Sequence, residues 1–454
     1  MTVPTATPSA PARALPGPVP LRRNADFIRL WVSAGISRFG TSVTMVAYPL
    51  LALWHTGSAS TTGLVTFAAA LPNLFVQLPA GALVDRWNRR RLMVGCDIVC
   101  VTVVASIAVT ELYGRFWLPQ LMLGAFLQSA MTILYQLSER AAVRTVVEPG
   151  QLSAALAQNE ARGAAIGLLA QPGSSLLFTV ARWLPFAANA AVGLVAAVLL
   201  VTLRRALGPA QADRAVPPGG TSLRAAVGEG VRWLWRQRFL RVMTCVFAGS
   251  NLVFQVLLLA VLVRIHNGGH PPAVVGLVLG AGGLGGILGA LSAGWWSRRS
   301  DLYRTAVAGF AVWTVFIPVS ACSGSPALIA ASLAGITFVA SLFNVTGNVY
   351  QMQVTPEALQ GRVNGASSFL SSGANSLGAL AGGWLVDRAG PSATGFVLGV
   401  AVLALTAVVA FSPAVRAEHR ASAAPEGPAP ASATPGGGTQ EPPAAAESAG
   451  MGGI

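Results

Sequence analysis

The stretch Gly81-Ala82-Leu83-Val84-Asp85-Arg86-Trp87-Asn88-Arg89-Arg90-Arg91 is a short, arginine-dense hinge set between two long apolar runs, residues 60–83 and 92–112. A helix that crosses a bilayer needs roughly 20 mainly apolar residues, and each flank is long enough to be one. The hinge therefore reads as a loop between two antiparallel membrane helices. Within it, Gly81 would let two helices approach, and Asp85 would accept hydrogen bonds from the N-terminus of a neighbouring helix. Arg86, Arg89 and Arg90 would anchor to lipid phosphate or pair across the bundle.

Apolar runs of the same kind recur at 27–53, 60–83, 92–112, 118–141, 155–178, 184–203, 240–264, 272–296, 305–322, 327–350, 362–385 and 393–412. They predict an all-α membrane protein of twelve transmembrane helices. Composition points the same way: 53% of the 454 residues are hydrophobic and 10% are charged, against roughly a quarter charged in soluble domains. A large soluble enzyme is thereby disfavoured. All 30 Lys+Arg residues are arginine, which excludes a lysine nucleophile, a Schiff base and a phosphate-loop lysine. The four cysteines, Cys96, Cys100, Cys245 and Cys322, sit in apolar runs without metal-ligand spacing, so neither a disulfide framework nor a metal site is expected.

The formal charge of +14 is explained by where the arginines fall. Placing the N-terminus in the cytoplasm puts Arg86, Arg89, Arg90, Arg91, Arg140, Arg144, Arg298, Arg299, Arg304 and Arg362 inside, with the arginines between 204 and 241. Only Arg115, Arg182, Arg264 and Arg388 fall outside, the asymmetry of the positive-inside rule. The basic charge is thus topological, and no nucleic-acid partner is expected.

Five regions follow. Residues 1–25 form a Pro/Ala-rich cytoplasmic arm without the features of a signal peptide, expected to be disordered. Residues 26–203 form a first six-helix half, 204–239 a cytoplasmic linker, 240–412 a second half, and 413–454 a disordered cytoplasmic tail rich in Ala, Pro and Gly. In the linker, Leu223, Val227, Val231, Leu234 and Trp235 share one face of an interfacial amphipathic helix, and Arg224, Arg232 and Arg236 another. A weak repeat relates the halves: 147–152 resembles 354–359, and Gly81, Arg86 and Arg91 align with Gly294, Arg299 and Arg304. Two related six-helix halves suit a transporter that rocks about a site between them.

The hinge at 81–91 closely resembles the signature loop of the major facilitator superfamily, G-x-L-a-D-R-x-G-R-R, with Asn88 in place of the second glycine. Arg298 stands where the acid would fall in the second half. The segments FGTSVTMVAYPLLAL, LPAGALVDRWNRRRL and LQGRVNGASSFL resemble the branch that contains the enterobactin exporter and macrolide-efflux proteins. That resemblance implies a proton-coupled exporter of siderophores, antibiotics or other secondary metabolites, in a bacterial inner membrane. Where many relatives carry Gly-Asp in the first helix this chain has Gly40-Thr41, so that acid cannot carry protons here. The fifth helix partly matches the exporter motif G-x-x-x-G-P-x-x-G-G through Gly163, Gly167, Gln171, Pro172 and Gly173. Small residues there would pack closely, as would Gly378, Gly382 and Gly383 in the eleventh helix.

Charges inside the hydrocarbon are costly and so become the first functional candidates. Arg38, near the middle of the first helix, would hold an anionic or carbonyl-bearing substrate or pair with an acid. Asp97, Glu139, Arg140, Glu160 and Arg162 would join Gly81, Asp85, Arg86, Arg89 and Arg90 in a cytoplasmic latch, Asp97 through an ion-pair network with Asp85 and nearby arginines; Asp97 and Glu160 are the proton-coupling candidates. Thr41, Gln128 and three pairs at i, i+4, namely Asn73 with Gln77, Asn251 with Gln255 and Asn344 with Asn348, are candidate cavity residues, with Tyr135, Phe247 and Phe254 as apolar walls. Hydrogen bonding between helices is the alternative role for the amides. His266 and His270 read as a solvated loop. No catalytic constellation, cofactor or metal site is expected. The expected partners are the lipid bilayer, a small-molecule substrate and protons, with the protein acting as a monomer. Import of a small organic solute, or a sensor built on a transporter fold, are the other readings.

Overall fold

The computed structural model describes residues 21–202, Gly228, 232–300 and 302–413; the side chains of Leu78, Ala82, Asp85, Pro149, Leu302, Glu357 and Ala358 lie outside the description. Every described element is helical. They are α1 (Ala25–Thr56), α2 (Ala59–Ala70), α3 (Pro72–Phe75), α4 (Gln77–Arg86), α5 (Arg89–Leu112), α6 (Leu118–Val146) and α7 (Leu152–Val180). They continue with α8 (Leu184–Val201), α9 (Arg238–Asn267), α10 (Pro272–Trp296), α11 (Leu302–Cys322), α12 (Pro326–Val354) and α13 (Glu357–Phe411).

Ten of these helices are long and apolar enough to cross a membrane. Two differences separate that number from the twelve expected runs. The run at 60–83 is not one helix but three, α2 to α4, interrupted at Leu71 and Val76. Pro72 at the start of α3 has no N–H to continue the ladder of α2. The last two runs are merged in the 55-residue α13, which would extend about 80 Å if straight, more than twice the hydrocarbon thickness. Gly390, at φ 77° and ψ 164°, turns the chain between two arms, 357–389 and 391–411. Only glycine takes that conformation without strain, and Pro391 starts the next arm.

Local chemistry sets several starts. Asn24 Oδ1 accepts the Phe27 N–H at 3.1 Å at the head of α1, and Asn88 Oδ1 accepts the Arg91 N–H at 3.2 Å at the head of α5. Asn88, the departure from the signature glycine, is thus an N-cap. Several helices also run a few residues past the expected ends: α6 reaches Val146 and α12 reaches Val354.

The loops alternate between two faces. One carries Arg86, Arg89, Arg90, Arg91, Arg140, Arg144, Arg298, Arg299 and Arg362, and is called here the arginine-rich face; the opposite face holds Arg115, Arg182, Arg264 and Arg388. In the first half α1 packs on α7 and α8, and α5 on α6 and α8; in the second α9 packs along α13 and α10 along α12. Aromatic contacts fill each half, with Tyr48 edge-on to Phe186 at 5.4 Å and Phe247 stacked on Phe343 at 4.3 Å.

The halves meet along α2 with α13 and α7 with α10. A Cβ on Gly63 would stand 2.6 Å from the Ala379 carbonyl oxygen, and one on Gly276 would stand 2.8 Å from Pro172 Cα. Only glycine permits backbones so near. His266, expected in a loop, lies within α9 and meets Trp54 of α1 ring to ring at 4.6 Å. Of the linker helix, Leu234 is buried and Trp235 is exposed; Leu223, Val227, Val231 and Arg224 lie outside the described residues.

Candidate functional site

Between the halves lies a cavity of about 420 Å³ bounded by α1, α2, α7, α9, α10 and α12. Its walls are mainly apolar, including Met45, Pro49, Phe254, Leu258, Leu279 and Leu333, with four polar groups, Thr66, Gln171, Gln255 and Thr337. None of its lining residues is charged. The volume falls in the range of drug-sized ligand sites, about 300–1,000 Å³.

The same helix faces continue from the cavity towards the arginine-rich face, since positions 7 and 11 apart return to one side of a helix. On α1, Met45 is followed by Arg38; on α7, Gln171 by Glu160; on α12, Thr337 by Asn344 and Asn348. Arg38, Glu160, Asn344 and Asn348 are all exposed. Arg38 makes no hydrogen bond or ion pair among the described residues, and a Cβ on Gly163 would lie 3.7 Å from its guanidinium carbon. The glycine leaves room for the charge between α1 and α7.

Other expected site residues lie elsewhere. Gln128 is fully buried inside the first half, accepting from Tyr48 Oη at 2.9 Å and donating to Thr44 Oγ1; Asn189 Nδ2 donates to the same hydroxyl at 3.0 Å. Phe247 packs on Phe343 rather than on the cavity. Asn251 turns its amide to the Phe247 carbonyl of its own helix at 2.9 Å. Asn73 and Gln77 are divided by the interruption at Val76, and Asn73 Nδ2 reaches only Ala70 O, at 3.4 Å. An i, i+4 spacing identifies a shared face, not what that face meets.

A second, small cavity of about 20 Å³ lies within the first half, lined by Ser37, Arg38, Thr41, Asp97, Tyr135 and Glu139 among others. Asp97 is buried, and its Oδ1 accepts from Ser37 Oγ at 2.6 Å while Oδ2 has no hydrogen-bond partner. Among the described residues Asp97 forms no ion pair with an arginine, contrary to expectation. Glu139 pairs instead with Arg162, both buried, and Arg162 also donates to the Trp31 carbonyl at 2.5 Å. Arg140 is exposed, and so is Arg86. Arg89 is buried and donates to Ala141 O at 3.5 Å, and Arg90 donates to Val201 O. These contacts all fall within the first half. The side chain of Asp85 lies outside the described residues.

The glycines of the exporter-like motif are not the tight points expected of them. A Cβ on Gly167 meets nothing within 4 Å, one on Gly163 only Arg38 at 3.7 Å and one on Gly173 only Phe39 at 3.9 Å; Gly81 of the hinge also faces open space. In the α7–α10 seam, Pro172 and Ser175 form the receiving surface and Gly276 of α10 supplies the close approach. The small face of α13 does pack closely: Gly378 and Gly382 against α9, Gly383 against α2. Arg162, expected in the latch, is the partner that Glu139 takes, whereas Asp387, which accepts three hydrogen bonds from the start of α2, was absent from the expected site. Arg162 was legible as a charge in an apolar run, whereas Asp387 was hidden at a helix end.

A profile of the Major Facilitator Superfamily matches residues 30–376 and 265–444. The chain is 29% identical over 396 residues to the Multidrug efflux pump Tap of Mycolicibacterium fortuitum, covering 83% of this chain and 93% of that one. It is 21% identical over 179 residues to Macrolide efflux protein A of Streptococcus pyogenes, covering 39% and 44%. Two solved structures share the fold: the nucleoside transporter NupG (TM-score 0.67, 11% identity, 84% and 98% covered) and a bacterial homologue of the iron transporter ferroportin in an inward-facing state (TM-score 0.63, 16% identity, 86% and 98% covered). With two packed helical halves about a central cavity and a profile running over most of the sequence, the chain belongs to the Major Facilitator Superfamily.

Proposed function

We propose that the protein is a secondary active exporter of a hydrophobic or amphipathic small organic molecule, a drug, siderophore or secondary metabolite. It works by alternating access across the bacterial inner membrane and exchanges its substrate for protons. The observation that carries this reading is the inter-half cavity of about 420 Å³, apolar except for two amides and two hydroxyls and free of charge along its lining. Such a site fits a bulky, weakly charged molecule better than a sugar or an inorganic anion. The relatives' names, multidrug efflux pump and macrolide efflux protein, support the direction.

By the positive-inside rule the arginine-rich face is cytoplasmic, as are both termini. The conformation described is then open to the cytoplasm, ready to load substrate, with Arg38 at the entrance and Gln171, Gln255 and Thr337 deeper in. Of the two proton-coupling candidates Asp97 is the better placed: it is buried, with one carboxylate oxygen unbonded, beside the residues of α1 that lead into the crevice. Glu160 is exposed on α7.

The test is accumulation of hydrophobic antibiotics and fluorescent dyes in an efflux-deficient host, with and without a protonophore. Lower accumulation that the protonophore abolishes is expected. Raised accumulation would turn the reading to import. No change across a broad panel would reject drug efflux as the activity.

A further inference from the structure

The pattern Gly-x-Leu-Val-Asp-Arg occurs twice, at 81–86 and again at 383–388. The first copy ends α4 at the arginine-rich face; the second ends the first arm of α13 at the opposite face. In the second copy Gly383 brings α13 against α2, where a Cβ would stand 2.8 Å from the Ala59 carbonyl oxygen and 3.0 Å from Ser60 Cα. One turn further on, the Asp387 carboxylate meets the N-terminus of α2. It accepts the N–H of Ala59 at 2.7 Å, the N–H of Ser60 at 2.8 Å and the hydroxyl of Ser58 at 2.9 Å.

A helix start leaves four backbone donors without partners inside the helix. In α2 all four are satisfied. The Ser58 N–H donates to Thr56 Oγ1 and the Thr61 N–H to Ser58 Oγ, each at 3.2 Å, and the two between them go to Asp387. Half of the cap of a first-half helix therefore comes from the second half. A carboxylate at a helix start makes charge-assisted bonds and is favoured by the helix dipole. Asp387 is nevertheless exposed, and Ser58 and Ser60 are half-buried, so water can replace these bonds when the halves separate. Strong bonds with a ready substitute suit a contact that is made and broken repeatedly.

We propose that Asp387 is the clasp that holds the two halves together at the face opposite the arginines, and that removing its carboxylate shifts the protein towards a state open at that face. The inference rests on the exporter reading only for naming that face extracellular.

The test uses the full chain in lipid nanodiscs, with spin labels at Tyr113→Cys and Ser325→Cys and the four native cysteines changed to serine. Both labelled positions are exposed at that face, one in each half. Pulsed electron paramagnetic resonance then reads the distance between halves without substrate or gradient. Asp387→Ala is expected to raise the ratio of long to short separations about tenfold or more, the scale of losing one hydrogen bond to a charged group. Asp387→Asn keeps the shape and one acceptor and should give a smaller shift in the same direction. Arg388→Ala, whose guanidinium sits over Trp384 at 5.0 Å and not in the clasp, should leave the distribution unchanged. An unchanged distribution in Asp387→Ala overturns the inference, as does an equal shift in Arg388→Ala. If Asp387→Ala fails to accumulate, the Asn variant decides by the same criterion. Because nothing is transported in this measurement, a negative accumulation assay leaves its result standing.

Discussion

The two copies of Gly-x-Leu-Val-Asp-Arg share a local sequence and differ in what surrounds the glycine. At 383–388 the glycine touches the backbone of α2 and the aspartate caps it. At 81–86 a Cβ on the glycine would meet nothing within 4 Å. The glycine of such a motif is therefore a capacity for close approach, used at Gly383 and not at Gly81. Among the described residues, the buried ion pair near the arginine-rich face lies within one half. There Glu139 and Arg162 bind α6 to α7, while the opposite face is held between halves.

That contrast breaks hardest at the buried pair. Glu139→Gln leaves Arg162 buried without its counter-charge and should cost about 3–5 kcal/mol of stability, read as a lowered unfolding temperature in detergent. The spin-label distance at the opposite face should stay as it is, because the pair does not bridge the halves. A fall in stability together with a changed distance would show that the pair also sets the conformation.

Next in size is the glycine seam. Gly383→Leu drives a side chain into the backbone at Ala59 and Ser60, and transport should drop by more than about tenfold at normal membrane abundance, the scale of overpacking at about 1–3 kcal/mol. Gly81→Ala, with open space around it, should leave the spin-label distance unchanged. If Gly81→Ala separates the halves as far as Gly383→Leu does, the two copies are not in different states.

Smaller effects separate the crevice from the interior. Gln255→Ala removes one of the few polar groups of the cavity and should weaken apparent substrate affinity by about three- to tenfold, the worth of one hydrogen bond. Asn251→Ala, one turn away, should change it by less than about twofold, because that amide is already bonded to its own helix. Concentration-dependent uptake into inverted vesicles compares the two, and equal losses would mean that Asn251 also reaches the substrate.

Much of the architecture was legible because membrane helices announce themselves by long apolar runs. The breaks at Leu71 and Val76 were not, since Pro72 permits either a kink or an interruption and neighbouring helices decide between them. Among polar residues, spacing located faces correctly and environments poorly. Gln171 and Gln255 line the cavity, whereas Gln128 turns inward to Tyr48 and Thr44. Asp97 was identifiable as an acid in an apolar run, but its partner proved to be a serine one helix away, a contact 60 positions distant in sequence.

By itself the sequence determined the number and place of the apolar runs, the gathering of arginine on one face and the superfamily to which the chain belongs. Those properties depend on composition along the chain, and burial in lipid reads composition directly. Only the tertiary structure decided which polar side chains meet the crevice, where Arg162 finds its acid, and that Asp387 caps a helix of the other half. Such outcomes depend on how each helix is turned about its axis and on where one half stands against the other. Many long-range contacts set that geometry together, and no local pattern encodes it.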